Sequence, residues 1–208
     1  MPAHPSAQGS KIGLIFIGLG NPGTKYEHTR HNVGFLAVEK AADKAGIALK
    51  KSFGKKYTTA EGRYGGRKVV FIEPLTYMNN SGNIIPTLRR KFQLAPENMV
   101  VVCDNLDLPP GTVRVKQGGG TAGHNGLASI VQHLGTKDFL RVYIGIGRPQ
   151  FRGDVVKYVL GVPACEERAD IEAGIERAAE ALLQLETNSP EKVMNEFNRR
   201  NSPDNDSE

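Results

Sequence analysis

Four stretches of this chain are apolar at nearly every position, and they constrain its fold more than any other feature. They span residues 12–19, 68–72, 99–103 and 140–146. A strand without polar alternation needs cover on both faces of its sheet. Helical patterning lies between these runs, at about 32–45, 81–92 and 125–134. The pattern predicts an α/β fold: a single three-layer domain with a twisted, mixed, largely parallel sheet and helices on both faces.

The remaining elements are predicted from weaker signals. Two shorter and more polar segments, 57–60 and 112–116, are expected to be antiparallel strands added at the edges of the sheet. A long helix is predicted over 163–186, with Pro163 near its first position, and a short one over 191–199. Asn32 and Ser81 are candidate helix caps.

Composition favours an ordinary globular protein, since 39% of the residues are hydrophobic and 24% are charged. We expect a flexible leader at 1–10, one domain over 11–200 and a disordered acidic tail at 201–208. The sequence has no secretory-type start and no apolar run of about 18 residues. These features predict a cytoplasmic protein with no membrane partner.

The net charge of +5 conceals two regions of opposite sign. Residues 1–162 carry 22 basic and 10 acidic side chains, whereas residues 163–208 carry 5 and 12. A basic excess over the first three-quarters of the chain favours a polyanionic partner such as nucleic acid.

No metal or disulfide pattern is present. Cys103 and Cys165 are far apart and lack CxxC or Cys/His spacing. His28 and His31 have the i, i+3 spacing of a ligand pair, but no third ligand is near in sequence. We therefore predict no bound metal, and we interpret Cys103, which lies inside an apolar run, as a core residue.

Two glycine-rich segments resemble nucleotide-binding motifs, but the residues around them do not fit such motifs. Residues 18–23 match GxGxxG after a strand, but a polar loop follows instead of a helix, and Glu39 lies inside the next helix rather than at a strand end. Residues 118–123 lack the GK[ST] of a P-loop. The sequence predicts no cofactor, and a dinucleotide-dependent oxidoreductase remains a distant alternative.

Polar residues cluster where predicted strands end. Asn21 follows the first strand, Asn79 follows the strand at 68–72 by a short turn, and Asp104 ends the run at 99–103. In a largely parallel sheet these positions share the carboxyl edge, where open α/β sheets place their ligand crevice. Asp104 and Asn79 are also ordinary turn formers, so the ligand interpretation is not the only one.

Histidines complete this constellation. His31 precedes the first helix, and His124 and Asn125 precede another after the glycine-rich loop. A neutral imidazole takes a proton from water near neutral pH, and a carboxylate beside it fixes its tautomer. With no Ser or Cys nucleophile in a recognisable elbow, this set favours water activation. His124 is either catalytic or a support for its loop, and Asn125 is either a ligand or a helix cap.

The residues carrying this chemistry resemble a known family. The stretches GLGNPGTKYEHTRHNVG (18–34), EPLTYMNNSG (73–82), DNLDLPPG (104–111) and GGGTAGHNGL (118–127) are similar to the signature segments of bacterial-type peptidyl-tRNA hydrolases, in order, and the similarity extends over about 11–200. The resemblance implies a monomer that, without a metal, cleaves the ester joining a peptide to the 3′-terminal ribose of tRNA.

The resemblance also implies roles for particular residues. His31 is the general base, Asp104 orients it and stabilises its protonated form, and Asn21 recognises the peptide and favours N-blocked substrates. Residues implied to hold substrate or tRNA are Tyr26, Tyr77, Asn79, Asn125, Arg114 and Lys116. Residues 153–160 correspond to a mobile lid over the cleft.

Two positions depart from the family pattern. Asn105 stands where an acidic residue is usual, and the basic pair is Arg/Lys rather than Lys/Lys. Neither position touches the presumed chemistry, so they put local charge and tRNA affinity in question. A non-catalytic RNA-binding role, as in the family's chloroplast intron-splicing relatives, is the alternative.

Overall fold

The computed structural model describes residues 12–51 and 54–199. Its strands form one seven-stranded sheet: β1 (Ile12–Gly18), β2 (Lys50–Lys51), β3 (Tyr57–Tyr64), β4 (Arg67–Pro74), β5 (Met99–Asn105), β6 (Val113–Gln117) and β7 (Leu140–Gly145). The order across the sheet is β2-β3-β4-β1-β5-β7-β6. The four central strands are parallel, whereas β3 and β6 pair antiparallel with β4 and β7. The two predicted antiparallel strands are thus confirmed. β6 lies at an edge as predicted, whereas the two-residue β2, which was not predicted, lies outside β3.

Helices cover both faces of this sheet. They are α1 (Val33–Lys44), α2 (Ile85–Phe92), α3 (Asn125–Leu134), α4 (Val155–Val159), α5 (Cys165–Thr187) and α6 (Pro190–Phe197). Buried residues of α1, α5 and α6 form one core with Phe16 of β1, while those of α2 and α3 form a second core with Ile15 and Ile17. Because successive strand side chains point to opposite faces, one apolar run supplies both cores. The predicted three-layer α/β class is confirmed.

The start of α1 lies directly against the carboxyl end of β1. A Cβ on Gly18 would overlap the carbonyl of Gly34, so the absence of side chains at both positions permits this close approach. Val33 and Val38 of α1 are buried in the core between this helix and the sheet. Burying a side chain of this size contributes about 1.5–3 kcal/mol to the stability of the fold. This packing places the 3-10 turn Arg30–Asn32, which immediately precedes α1, at the carboxyl edge of the sheet.

Two predicted helix starts were wrong. The long helix begins at Cys165 with Ala164 in the cap position, so Pro163 lies outside it. Residues 78–84 form a 3-10 helix in which the Ser81 hydroxyl donates to the Met78 carbonyl, and α2 begins only at Ile85. Pro86 then occupies the first helical turn, where its missing N–H is not needed.

Some sequence predictions fall beyond what the structure describes. The predicted leader at 1–10 and tail at 201–208 lie outside the described residues, and the domain limits of 11–200 stay a prediction. Glu39 lies inside α1, as expected, so it cannot serve as a strand-end ribose ligand. Within residues 12–51 and 54–199, no helix combines the length and apolarity that crossing a membrane requires.

Candidate active site

Two histidines converge on one carboxylate at the carboxyl edge of the sheet. Asp104 comes from the end of β5, His31 from the turn before α1, and His124 from the position before α3. His31 Nδ1 lies 2.7 Å from Asp104 Oδ1, and His124 Nε2 lies 3.1 Å from the same oxygen. The two rings are 5.1 Å apart between centroids. The carboxylate predicted at the end of this strand and the two histidines predicted to precede helices therefore meet in space.

The hydrogen bonds fix the tautomers of both rings. An ionised carboxylate only accepts, so the nitrogen that each histidine turns toward Asp104 carries a hydrogen. His124 Nδ1 accepts from the backbone N–H groups of Gly126 and Leu127, at 3.1 and 3.2 Å. His124 is thus the side-chain cap of α3, and the alternative of Asn125 as the cap is wrong. For His31, the proton on Nδ1 leaves the lone pair of Nε2 available.

Asp104 is kept ionised by its neighbours. Burial by itself raises the pKa of this carboxyl, because a charge is poorly solvated away from water. The electrostatic attraction and the hydrogen bonds of His124 and His31 act in the opposite direction and outweigh burial. The net result is a pKa well below the usual range of an aspartate, so the carboxylate is charged at neutral pH.

The same three side chains could hold a metal by proximity alone, since their ligand atoms lie within 4.8 Å of one another. The hydrogen bonds oppose this use. A cation held between Asp104 and His124 would have to displace the proton that His124 Nε2 directs at the carboxylate. In His124 the other ring nitrogen already accepts two N–H bonds, so losing that proton would leave an imidazolate. The donor set therefore fits a proton-sharing triad better than a metal centre.

Asn21 is held by hydrogen bonds to Asn32, the residue that follows His31. Its backbone N–H donates to Asn32 Oδ1 at 2.8 Å, and Asn32 Nδ2 donates back to the Asn21 carbonyl at 3.0 Å. The Asn21 side-chain oxygen accepts from the Met78 N–H at 2.8 Å. Its amide NH₂ group is therefore the part of the side chain left for a ligand. Asn32, predicted only as a cap, makes no side-chain cap bond and instead positions Asn21.

The other predicted substrate residues lie on loops and helix starts. The rings of Tyr26 and Tyr77 meet edge to face at 6.4 Å. Tyr77 is 59% exposed, which excludes a core role for it. Asn79 and Asn125 are exposed, near the start of the 3-10 helix Met78–Ile84 and at the first position of α3.

Arg114 and Lys116 occupy a different place from the triad. Both lie on the exposed face of the edge strand β6, separated by the buried Val115. Arg114 lines a groove of about 600 Å³ between the loop that begins at Asp107 and the helices α5 and α6. Neither residue contributes to the lining of the cavity that contains His31.

That cavity has a volume of about 270 Å³ and combines polar and apolar walls. Asp104, His31 and His124 form its polar part. Val155, Val156 and Val159 of α4, within the predicted lid, line an apolar side. The predicted lid segment thus borders the site, and an apolar group can lie beside the histidines.

Asn105 also borders this cavity. Its side-chain oxygen accepts from the Asp107 N–H at 2.7 Å, a turn of the Asx type. An aspartate could make the same bond, so Asn105 keeps the turn and changes only the local charge.

Sequence reasoning missed Arg141, which is fully buried in β7. Its guanidinium donates to the carbonyls of Gly119, Gly120 and Lys137 at 2.6–3.0 Å and lies over the Phe139 ring. It therefore fixes the glycine-rich loop that leads to His124. A single arginine within the apolar run 140–146 was the available signal, because charged residues are rarely buried without partners.

Comparison with known proteins agrees with this geometry. The family model described as peptidyl-tRNA hydrolase matches residues 15–205. A peptidyl-tRNA hydrolase of Brevibacillus brevis is 45% identical, with 88% of this chain and 97% of that protein covered. One of Syntrophotalea carbinolica is 44% identical, with 89% and 97% covered. The crystal structure of the Acinetobacter baumannii enzyme superposes with a TM-score of 0.83 at 39% identity, covering 91% and 95%.

The four sequence segments, the three-layer fold and these matches extend over nearly the same residues. The histidines and carboxylate of the cavity come from the segments that carry the resemblance. The chain therefore belongs to the peptidyl-tRNA hydrolase family.

Proposed function

We propose that this chain hydrolyses the ester of peptidyl-tRNA with His31 as the general base. The single observation that supports this role is the 2.7 Å bond from His31 Nδ1 to Asp104 Oδ1. It leaves His31 Nε2 to take a proton from water while that water attacks the ester carbonyl carbon. The acyl–oxygen bond then breaks, and the proton passes from His31 to the departing ribose oxygen.

Asp104 stabilises the imidazolium that forms during attack. Its low pKa keeps it negative beside the developing positive charge. His124 donates to the same oxygen and, as the cap of α3, is held in place by two backbone N–H groups. We assign His124 the task of orienting the carboxylate.

Asn21 is proposed to recognise the peptide. With its oxygen occupied by the Met78 N–H, it offers two N–H donors that suit a carbonyl oxygen. An N-blocked aminoacyl group provides such an oxygen, whereas a free aminoacyl group offers an ammonium, which only donates. We propose that the exposed amides of Asn79 and Asn125 hold the substrate and the oxyanion, and that Tyr26 and Tyr77 contact the end of the tRNA.

The test compares N-acetyl-aminoacyl-tRNA with unblocked aminoacyl-tRNA. We expect rapid hydrolysis of the first only, and equal rates would contradict the Asn21 assignment. His31→Ala should lower kcat by about 10²- to 10⁴-fold and leave the affinity for free tRNA within about twofold of wild type. Full activity in His31→Ala would exclude the mechanism, and binding without turnover in the wild type would favour the RNA-binding alternative.

Arg114 and Lys116 are proposed to contact tRNA phosphates, because both are exposed cations on one face of β6. Replacing either by Ala should reduce the slope of log Kd against log salt by about one. Arg148 serves as the comparison, since it already pairs with Asp107 and should change the slope less. Unchanged slopes in both variants would place the tRNA elsewhere.

We further propose that the enzyme works without a metal, as a monomer, and in the cytoplasm. The hydrogen-bonded triad of His31, Asp104 and His124 supports the first point, and the family resemblance implies the second. Activity should persist in chelator, and the sedimentation mass should remain that of one chain at assay concentrations. Inhibition that added zinc reverses would contradict the first point.

A further inference from the structure

The segment that borders the cavity is poorly anchored by burial. Among the residues that the structure describes, five large hydrophobic side chains are exposed, and four of them lie within 151–162: Phe151, Val156, Leu160 and Val162. Of α4, Val159 alone is buried. Since apolar contact holds this segment weakly, its position depends on specific polar bonds.

Arg30 supplies those bonds. It is 7% exposed, and its Nη1 donates to the carbonyl of Val162 at 3.1 Å and to those of Tyr158 and Gly161 at 3.4 Å. The Arg30 backbone N–H also donates to the Gly161 carbonyl, at 3.1 Å. The end of α4 and the backbone that follows it are therefore bound to one guanidinium through three carbonyls, those of residues 158, 161 and 162.

Two further contacts hold the guanidinium itself. Its Nη2 lies 2.5 Å from Glu167 Oε2 in the first turn of α5. Its carbon lies 4.2 Å from the centroid of the Tyr158 ring, whose hydroxyl donates to the Ile146 carbonyl at 2.6 Å. A planar cation with several donors can make these contacts together, whereas the point charge of a lysine cannot.

The three consecutive residues of the 3-10 turn Arg30–Asn32 thus bond three different parts of the site. His31 bonds Asp104, Asn32 bonds Asn21, and Arg30 bonds the end of the lid. A shift of this turn would move the base and the lid together. Reacting groups displaced by about 1 Å lose up to about 100-fold in rate, so this connection matters for turnover.

We propose that Arg30 is a positioning residue for hydrolysis, fixing the segment 155–162, which includes α4 and the end of the predicted lid, relative to His31 through its bonds to the carbonyls of residues 158, 161 and 162. The proposal rests on the function proposed for His31. Arg30 itself touches neither the reacting atoms nor the Asp104 carboxylate, and it acts through the segment that it holds.

The experiment compares Arg30→Lys with Arg89→Lys in the full chain. Arg89 also donates to a carbonyl, that of Leu134, but it lies on α2, outside the cavity lining. Hydrogen exchange of the backbone amides at 155–162 should be about tenfold faster in Arg30→Lys and unchanged in Arg89→Lys. With N-acetyl-aminoacyl-tRNA, kcat should fall about 10- to 100-fold in Arg30→Lys alone, while the Kd for free tRNA stays within about twofold.

Glu167→Gln provides a second variant if Arg30→Lys does not fold, because Glu167 is partly exposed and its replacement leaves the carbonyl bonds in place. In Glu167→Gln, exchange at 155–162 should be about threefold faster and kcat about 3- to 30-fold lower. Unchanged exchange at 155–162 in a folded variant would overturn the proposal whatever happens to kcat. A lower melting temperature with wild-type kcat would also overturn it, since Arg30 would then be merely structural. The exchange measurement needs no activity, so failure of the His31 mechanism is detected separately, by His31→Ala.

Discussion

Two buried carboxylates, one at each end of the central sheet, differ in almost every respect other than burial. At the carboxyl end, Asp104 meets two histidines. At the amino end, Glu186 of α5 accepts one backbone N–H, from Leu14 of β1, at 2.8 Å, and lies 3.5 Å from the largely exposed Arg67. Burial is nearly complete at both, with 4% and 1% exposed.

Their pKa values move in opposite directions. For both groups burial is the largest influence and raises the pKa. Around Asp104 the two imidazoles more than reverse it, whereas around Glu186 the Leu14 N–H and the Arg67 charge do not. The contrast teaches that burial does not decide the state of a carboxyl group. The number and charge of its partners decide whether it is ionised. Only the end at which histidines bond the carboxylate is suited to proton transfer.

The largest expected difference between the two ends is in catalysis. Asp104→Asn should lower kcat by about 10²- to 10⁴-fold, because the amide cannot stabilise the His31 imidazolium and does not enforce its tautomer. Glu186→Gln should leave kcat within about twofold. Steady-state rates on N-acetyl-aminoacyl-tRNA, with circular dichroism to verify folding, test both. Equal losses in the two variants would remove the functional distinction.

A steric change at the amino end should affect stability alone. A Cβ on Gly13 would overlap the Glu186 carboxylate, so Gly13→Ala should lower the free energy of unfolding by about 1–3 kcal/mol. Urea denaturation measures this loss, and kcat should stay at the wild-type value. In the double variant Gly13→Ala with Glu186→Ala, the loss of unfolding free energy should be smaller than the sum of the losses in the two single variants. Full additivity would mean that the two residues do not interact.

The smallest expected effect is on the pH dependence of stability, with opposite signs at the two ends. Because the pKa of folded Glu186 is raised, its contribution is complete below the unfolded value of about 4.3 and is lost as pH rises through the folded value. Because the pKa of folded Asp104 is lowered, its contribution is present above about 3.9 and is lost as pH falls toward the folded value.

Urea titrations from pH 3 to 8 measure this contrast. Stability of the wild type relative to Glu186→Gln should decline as pH rises above about 4, and stability relative to Asp104→Asn should decline as pH falls below about 4. If both stability differences changed in the same direction with pH, the opposite pKa shifts of Glu186 and Asp104 would be contradicted.

Local sequence signals predicted elements well and element starts poorly. The apolar runs gave the four central strands because such runs need cover on both faces. The start of α2 was misplaced because Ser81 bonds a carbonyl behind it rather than capping a helix ahead. Pro163 likewise resembled a first helical residue, yet the helix begins two residues later.

For the site, strand ends predicted Asn21 and Asp104, and the resemblance added roles. The part played by His124 stayed open because a residue twenty positions from Asp104 has no local signal of contact. Arg30, Asn32 and Arg141 were missed because each bonds backbone carbonyls or amides of distant segments. Backbone groups are the same at every position, so sequence does not identify which of them a side chain meets.

The sequence by itself determined the α/β class and the family, because these depend on hydrophobic periodicity and on ordered local motifs. It also predicted His31 and Asp104 as the base and its carboxylate. The tertiary structure alone decided that two histidines share one oxygen of Asp104, which tautomer each adopts, and that Arg30 binds the backbone at the end of α4. The physical reason is that tautomers, pKa directions and backbone contacts depend on distances between groups that folding brings together from distant parts of the chain.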